Sequence, residues 1–193
     1  MNNKIHKHFS EIKKILHKSD SMILEIEKVS NLLKDKIKLK KKIFVAGNGG
    51  SFADASHFVG ELTATYRSKK RKPLPFILLG NNQAAVTGWS NDYNFDDYLI
   101  REFSSLVSNG DLLFLFSTSG GNIKQKQSIN LIKLAKYAKS KKIFVISLLG
   151  KGGGVLKRLS DKSIIVKSYN TGSIQETHKI IFHSLCETFE NID

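Results

Sequence analysis

Residues 43–51 read Ile43-Phe44-Val45-Ala46-Gly47-Asn48-Gly49-Gly50-Ser51, a four-residue apolar run that opens into a glycine-rich turn. The run is too short for a helix and lacks polar alternation, as expected of a strand buried on both faces of a parallel sheet. The same grammar recurs at residues 76–79, 112–116, 143–149 and 164–166. Helical patterning fills the intervals, over about 52–66, 83–89, 95–108, 123–140 and 153–160, and closes the chain at 174–190. This alternation predicts an α/β three-layer sandwich around a central five-stranded parallel sheet with right-handed crossovers. Upstream, Phe9, Ile12 and Leu16 form one helical stripe, and Ile23, Ile26, Val29, Leu33 and Ile37 form another. Ser19-Asp20-Ser21 between them offers N-cap chemistry. Such narrow stripes pack on a domain or on a partner subunit. No repeat or low-complexity linker interrupts the 193 residues. One domain is therefore expected over 1–193, with a helical segment at 1–40 and an α/β core at 41–193.

Composition narrows the function classes. Forty per cent of the residues are hydrophobic, and 14 Gly with 2 Pro argue against a disordered or fibrous chain. No window approaches eighteen consecutive apolar residues, and no secretory signal is apparent at the N-terminus. Cys186 stands alone, so neither an internal disulfide nor a thiolate cage is available, and a cytoplasmic location is expected. Lys and Arg number 31 against 17 acids, a formal charge of +14. Only four of those cations are Arg, and the densest runs, 38–42 and 67–72, are not interleaved with stacking aromatics. We expect no nucleic-acid or membrane partner, but a solvated surface that attracts small anions.

Ligands of open parallel sheets bind beyond the carboxyl ends of the strands. The first apolar run ends in Asn48-Gly49-Gly50-Ser51 ahead of a helix, which suits an anion or simply makes a tight turn. The dinucleotide fingerprint fails because Phe52 stands where its third glycine belongs, and no Gly-Lys-Ser/Thr follows. The third run ends in Ser117-Thr118-Ser119-Gly120-Gly121-Asn122, whose hydroxyls serve equally as phosphate donors without a fixed charge or as helix caps. Asn91-Asp92, ahead of a predicted helix, and Gly150–Gly154, read as a flexible turn, are weaker signals.

His57 and Glu61 share one helical face a turn apart, which suits a shared divalent metal or a hydrogen bond. On the last helix Gln175 and His183 lie eight residues apart, about 12 Å along the axis, so one ion would take both only by stretching or from two subunits. His178 reads as a surface residue.

Taken together, Gly47–Ser51, Asp54, His57, Phe58, Glu61-Leu62-Thr63 and Tyr66-Arg67 resemble the signature of bacterial phosphoheptose isomerases of the sugar isomerase (SIS) fold. Asn91-Asp92, Ser117–Gly120, Ile174-Gln175-Glu176 and His183 recur in the same order, so the resemblance covers nearly the whole chain. It implies conversion of sedoheptulose 7-phosphate to D-glycero-D-manno-heptose 7-phosphate for lipopolysaccharide or capsule heptose. It also implies a homotetramer with active sites between subunits and the N-terminal helices in the assembly. By the resemblance, Glu61 and His183 are the base and acid. His57, Glu61, Gln175 and His183 are the ligands of one zinc ion per subunit. Asn48, Gly49, Gly50, Ser51, Asn91, Asp92, Ser117, Thr118, Ser119, Asn122 and Gln175 meet the phosphorylated sugar. Two departures stand out: Gly172 replaces the usual acid three places before Gln175, and Asn122 stands where a serine is common. Other readings are a non-catalytic SIS protein bound to the replication initiator, which the presence of Glu61 and His183 disfavours, and an isomerase of another phosphosugar.

Overall fold

The computed structural model describes residues 3–192. Two helices, α1 (Asn3–His17) and α2 (Asp20–Lys38), precede β1 (Ile43–Ala46), α3 (Gly50–Thr63), β2 (Phe76–Leu78), α4 (Gln83–Asp92), α5 (Tyr98–Leu106) and β3 (Leu112–Ser117). Then follow α6 (Ile129–Ser140), β4 (Phe144–Leu149), a 3-10 turn at Lys151–Gly153, α7 (Gly154–Leu159), β5 (Lys162–Ile165) and α8 (Thr171–Phe189). The five strands pair in parallel in the order β2-β1-β3-β4-β5. The chain reverses its direction of travel between β1 and β3, so the crevice beyond their carboxyl ends is the expected ligand position.

Alternation on fully buried strands builds two cores. Ile43, Val45, Phe114, Phe116, Ile146 and Leu148 face α2, α3 and α8. Phe44, Ala46, Leu113, Leu115, Val145 and Leu149 face α5, α6 and α7. This is the expected three-layer sandwich. In the first layer Phe58 of α3 is wholly buried and packs 5.6 Å from the Phe114 ring and 5.7 Å from Phe182 of α8. That contact clamps α3 to α8, and truncating such a ring typically costs about 3–5 kcal/mol.

The N-terminal stripes fare differently. Ile26, Val29, Leu33 and Ile37 of α2 are buried, whereas α1 buries none of its described residues and Phe9 stays 63% exposed. Ser19 occupies the N-cap of α2 without a side-chain bond.

Four expectations need correction. The helix expected over 123–140 begins only at Ile129, because 122–127 form a closed loop in which Asn122 and Gln127 exchange backbone hydrogen bonds. The helix expected at 83–89 runs on to Asp92, so Asn91 and Asp92 end a helix rather than lead into one. Gly150–Gly154 is no loose turn. Gly120, at φ +67°, packs so closely on it that a Cβ would sit 2.1 Å from the Gly153 carbonyl oxygen.

Finally, His178 is buried rather than exposed. It lies 6.1 Å from the Phe116 ring, and neither ring nitrogen makes a well-aligned hydrogen bond. Burial lowers its pKa from 6.5 to about 4, against a smaller opposing contribution from the Leu149 backbone. An acidifying solution therefore protonates this group in the unfolded chain first. Its stabilising contribution is complete above about pH 6.5 and is lost progressively down to about pH 4, roughly 3 kcal/mol in all. Urea midpoints measured from pH 7.5 to 4.5 should fall less steeply for His178→Leu than for wild type. Equal slopes would exclude this group as a cause.

Candidate active site

The loops that follow β1 and β3 meet at the expected crevice. After β1 the chain turns at Gly47-Asn48-Gly49 and starts α3 at Gly50. Asn48 is held by a reciprocal amide pair with Asn130 of α6, each donated bond 2.8 Å long. Asn130 is buried, and its oxygen also accepts from the Leu131 backbone at 2.9 Å. Nothing in the sequence marked Asn130, since an amide near a helix start is ordinary and its partner is 82 residues away. Gly50 is required by a close approach: a Cβ there would meet the Gln175 amide nitrogen at 1.8 Å. Gln175 therefore reaches from the second turn of α8 to the first turn of α3.

After β3, Ser117 and Ser119 spend part of their capacity inside their own loop. The Ser117 hydroxyl accepts from the Gly120 N–H at 3.0 Å, and that of Ser119 accepts from Gly121 at 3.2 Å. They cap no helix, because α6 begins only at Ile129, and Ser117, Thr118 and Ser119 line a cleft of about 400 Å³ with Asn48, Gly49 and Ser51. The first turns of α3 and α6 open at this cleft, through Ser51 and Ser128, so their positive ends favour an anion there.

Three of the expected substrate-binding residues do not line this cleft. The Asn122 oxygen accepts from the Gln125 N–H at 3.1 Å, within the 122–127 loop, and Asn122 does not line the cleft. In its place Lys126, Gln127 and Ser128 do, none of which the sequence reading singled out. Asn91 and Asp92 are exposed on α4 and bonded to each other at 3.0 Å, and neither lines the cleft.

At the other end of the α3–α8 contact, His57, Glu61 and His183 bring one ligand atom each within 4.8 Å of one another. His57 Nε2 pairs with Glu61 Oε1 at 2.8 Å, and the His57 and His183 rings lie 5.1 Å apart. Tyr66 stacks on His183 at 5.9 Å. Burial lowers the His183 pKa, reinforced by the nearby His57 and opposed by Glu61. A neutral imidazole beside a carboxylate suits both proton transfer and metal ligation. The three come from a single chain, so no second subunit is needed to bring the pair together. Two buried groups complete the surroundings. Asp54, one turn before His57, has an unpartnered buried oxygen, and burial raises its pKa. The Arg71 guanidinium donates to the Glu61 carbonyl at 2.6 Å, although the basic run at 67–72 had read as solvated surface.

Cradle and triad do not coincide. Gly50 and His57 are seven residues apart on α3, roughly 10 Å along the axis.

Comparison with known proteins agrees with this picture. The SIS domain family model matches residues 7–150. The chain is 39% identical over 170 residues to a phosphoheptose isomerase of Campylobacter concisus, covering 88% of this chain and 86% of that protein. It is 37% identical over 190 residues to phosphoheptose isomerase 1 of Campylobacter jejuni, covering 98% of each. The structure of a phosphoheptose isomerase from Francisella tularensis superposes with a TM-score of 0.89 at 28% identity, over 97% of both chains.

Proposed function

This chain belongs to the phosphoheptose isomerases of the SIS domain family, and from that premise we propose that it interconverts sedoheptulose 7-phosphate and D-glycero-D-manno-heptose 7-phosphate. The observation that carries the reading is the convergence of Glu61 and His183 with His57 on helices that also lead to a hydroxyl-lined anion cleft.

The chemistry follows from the groups. Moving a carbonyl from C2 to C1 requires a base to take a proton from C1 and return it at C2, through a cis-enediol. The Glu61 carboxylate takes and returns that proton. The His183 imidazole moves protons between the two oxygens. Asn48, Ser51, Ser117, Thr118 and Ser119 hold the terminal phosphate, and Gln175 orients the sugar between the two ends. A non-catalytic binding role would leave this acid–base pairing without use.

The donor set also fits zinc. Two imidazoles and a carboxylate within 4.8 Å of one another need only small rotamer changes to reach a shared ion at bonds of about 2.0–2.2 Å. His57, Glu61 and His183 would hold it, and Gln175, which lies against Gly50 at the cradle end of its own chain, would complete the set from a neighbouring subunit; when bound, it would polarise the substrate carbonyl and stabilise negative charge on the oxygens. Purified protein equilibrated with zinc should retain about one ion per subunit, and His57→Ala or His183→Ala should reduce this to near zero by metal analysis. Full retention in both variants would exclude the trio.

We also propose a homotetramer with active sites between subunits, which the roughly 10 Å separation of cradle and triad and the unburied stripe of α1 support. We propose a cytoplasmic setting; no described helix is long and apolar enough to cross a membrane. Lipopolysaccharide or capsule heptose is the expected destination of the product. The direct test is incubation with sedoheptulose 7-phosphate: a new aldose phosphate is expected, and its absence with folded, zinc-supplied protein would overturn the assignment.

A further inference from the structure

The β3–α6 loop carries a charge that the hydroxyl cradle otherwise lacks. Lys126 lines the same cleft as Asn48, Ser51 and Ser117–Ser119, and no described carboxylate contributes to its walls. The loop is well fixed. Asn122 and Gln127 exchange backbone bonds of 3.0 and 2.8 Å, the Lys126 N–H donates to the Ile123 carbonyl at 3.2 Å, and the Gln125 N–H donates to the Asn122 side chain. Lys126 and Ser128 both adopt left-handed backbone, at φ +50° and +55°, which non-glycine residues rarely do. These constraints deliver Lys126 to the cleft where the first turns of α3 and α6 open. Neighbouring Lys124 is exposed on the same loop and does not line it.

We propose that Lys126 binds the terminal phosphate of the substrate and is the residue by which this enzyme favours phosphorylated over unphosphorylated sugars. The inference rests on reading the cleft as the phosphate end of the isomerase site. A lysine ammonium offers three donors to a dianion in a pocket whose other donors are neutral, and charge-assisted bonds of this kind are the stronger class. Because the phosphate takes no part in the proton transfer, the interaction is the same in ground and transition states and should appear in KM rather than kcat.

The test uses the full chain. KM and kcat for sedoheptulose 7-phosphate, and the Ki of inorganic phosphate, are measured for wild type, K126M, K126R and K124M. K126M should raise both KM and Ki about tenfold or more, with kcat within about twofold. K126R should recover most of the affinity, and K124M should change neither constant. Unchanged constants in K126M, or an equal rise in K124M, would overturn the assignment, the second by showing a diffuse charge effect. K126Q replaces K126M if the latter does not fold. If wild type turns over no sedoheptulose 7-phosphate, the isomerase reading fails by itself. Calorimetric titration with inorganic phosphate then decides the Lys126 assignment, which stands if K126M binds more weakly and falls if it does not.

Discussion

Glu61→Gln should lower turnover of sedoheptulose 7-phosphate by about a thousandfold or more while leaving the fold and the assembly intact. The carboxylate is the group that takes the carbon-bound proton, and an amide of the same shape has no basicity to replace it. General-base removal is typically worth 10²–10⁴ in rate, and no second carboxylate is among the ligand atoms converging here. The structural cost is small. Glu61 is partly exposed, and a glutamine oxygen can keep accepting from His57 Nε2, now 2.8 Å away. Melting temperature should therefore move by no more than about 2 °C. KM should change little, because the phosphate cleft lies some three helical turns away. Rapid-quench or coupled assays with limits below a thousandth of the wild-type rate make the measurement decisive. A variant with more than a tenth of wild-type kcat would remove Glu61 from the proton-transfer step.

What was legible beforehand followed from burial. Ile43–Ala46, Leu112–Ser117 and Phe144–Leu149 are buried on both faces, so their apolar runs announce parallel strands without help from tertiary structure. The loops of the site were found because they follow those runs, and the His57–Glu61 spacing placed both side chains on one helical face. What escaped notice depends on contacts between distant residues or on backbone conformations that composition hides. Asn130 acts through Asn48, on another layer. Ile123, Leu131 and Leu134 keep helical spacing with Gln127, so the segment reads as helix until the left-handed turns at Lys126 and Ser128 are seen. His178 carried a usable signal that its polarity masked. It falls in the buried stripe of Ile174, Thr177, Ile181, Phe182 and Leu185, and the i, i+3, i+4 pattern puts it in the core.

Arg71 is the clearest case of a charge misread as solvent-facing, and the largest stability effect is expected there. Its side chain is fully buried. Nη1 donates to the carbonyls of Leu62 at 2.9 Å and Lys72 at 2.8 Å, and Nη2 to that of Glu61 at 2.6 Å. Nε meets Glu190 Oε1 at 3.2 Å, while Glu190 Oε2 accepts the Ser68 backbone at 2.6 Å. One guanidinium thus ties the last turn of α3, the 64–75 connection and the end of α8 together. Arg71→Met fills much of the same volume but strands the carbonyls and leaves Glu190, itself only 11% exposed, without its cation. Removing one partner of such a pair typically costs about 3–5 kcal/mol. For a chain of this size that is a fall of about 10 °C in melting temperature. Adding Glu190→Gln should recover part of the loss, since the uncompensated charge disappears, and the two changes should be markedly non-additive. Because the Glu61 backbone is one of the groups released, kcat of the single variant should fall well below what the folded fraction explains. Denaturant midpoints for the four-member cycle test the stability claim. A loss under 1 kcal/mol, or additive effects of the two changes, would mean that α3 and α8 hold their ends together without this guanidinium.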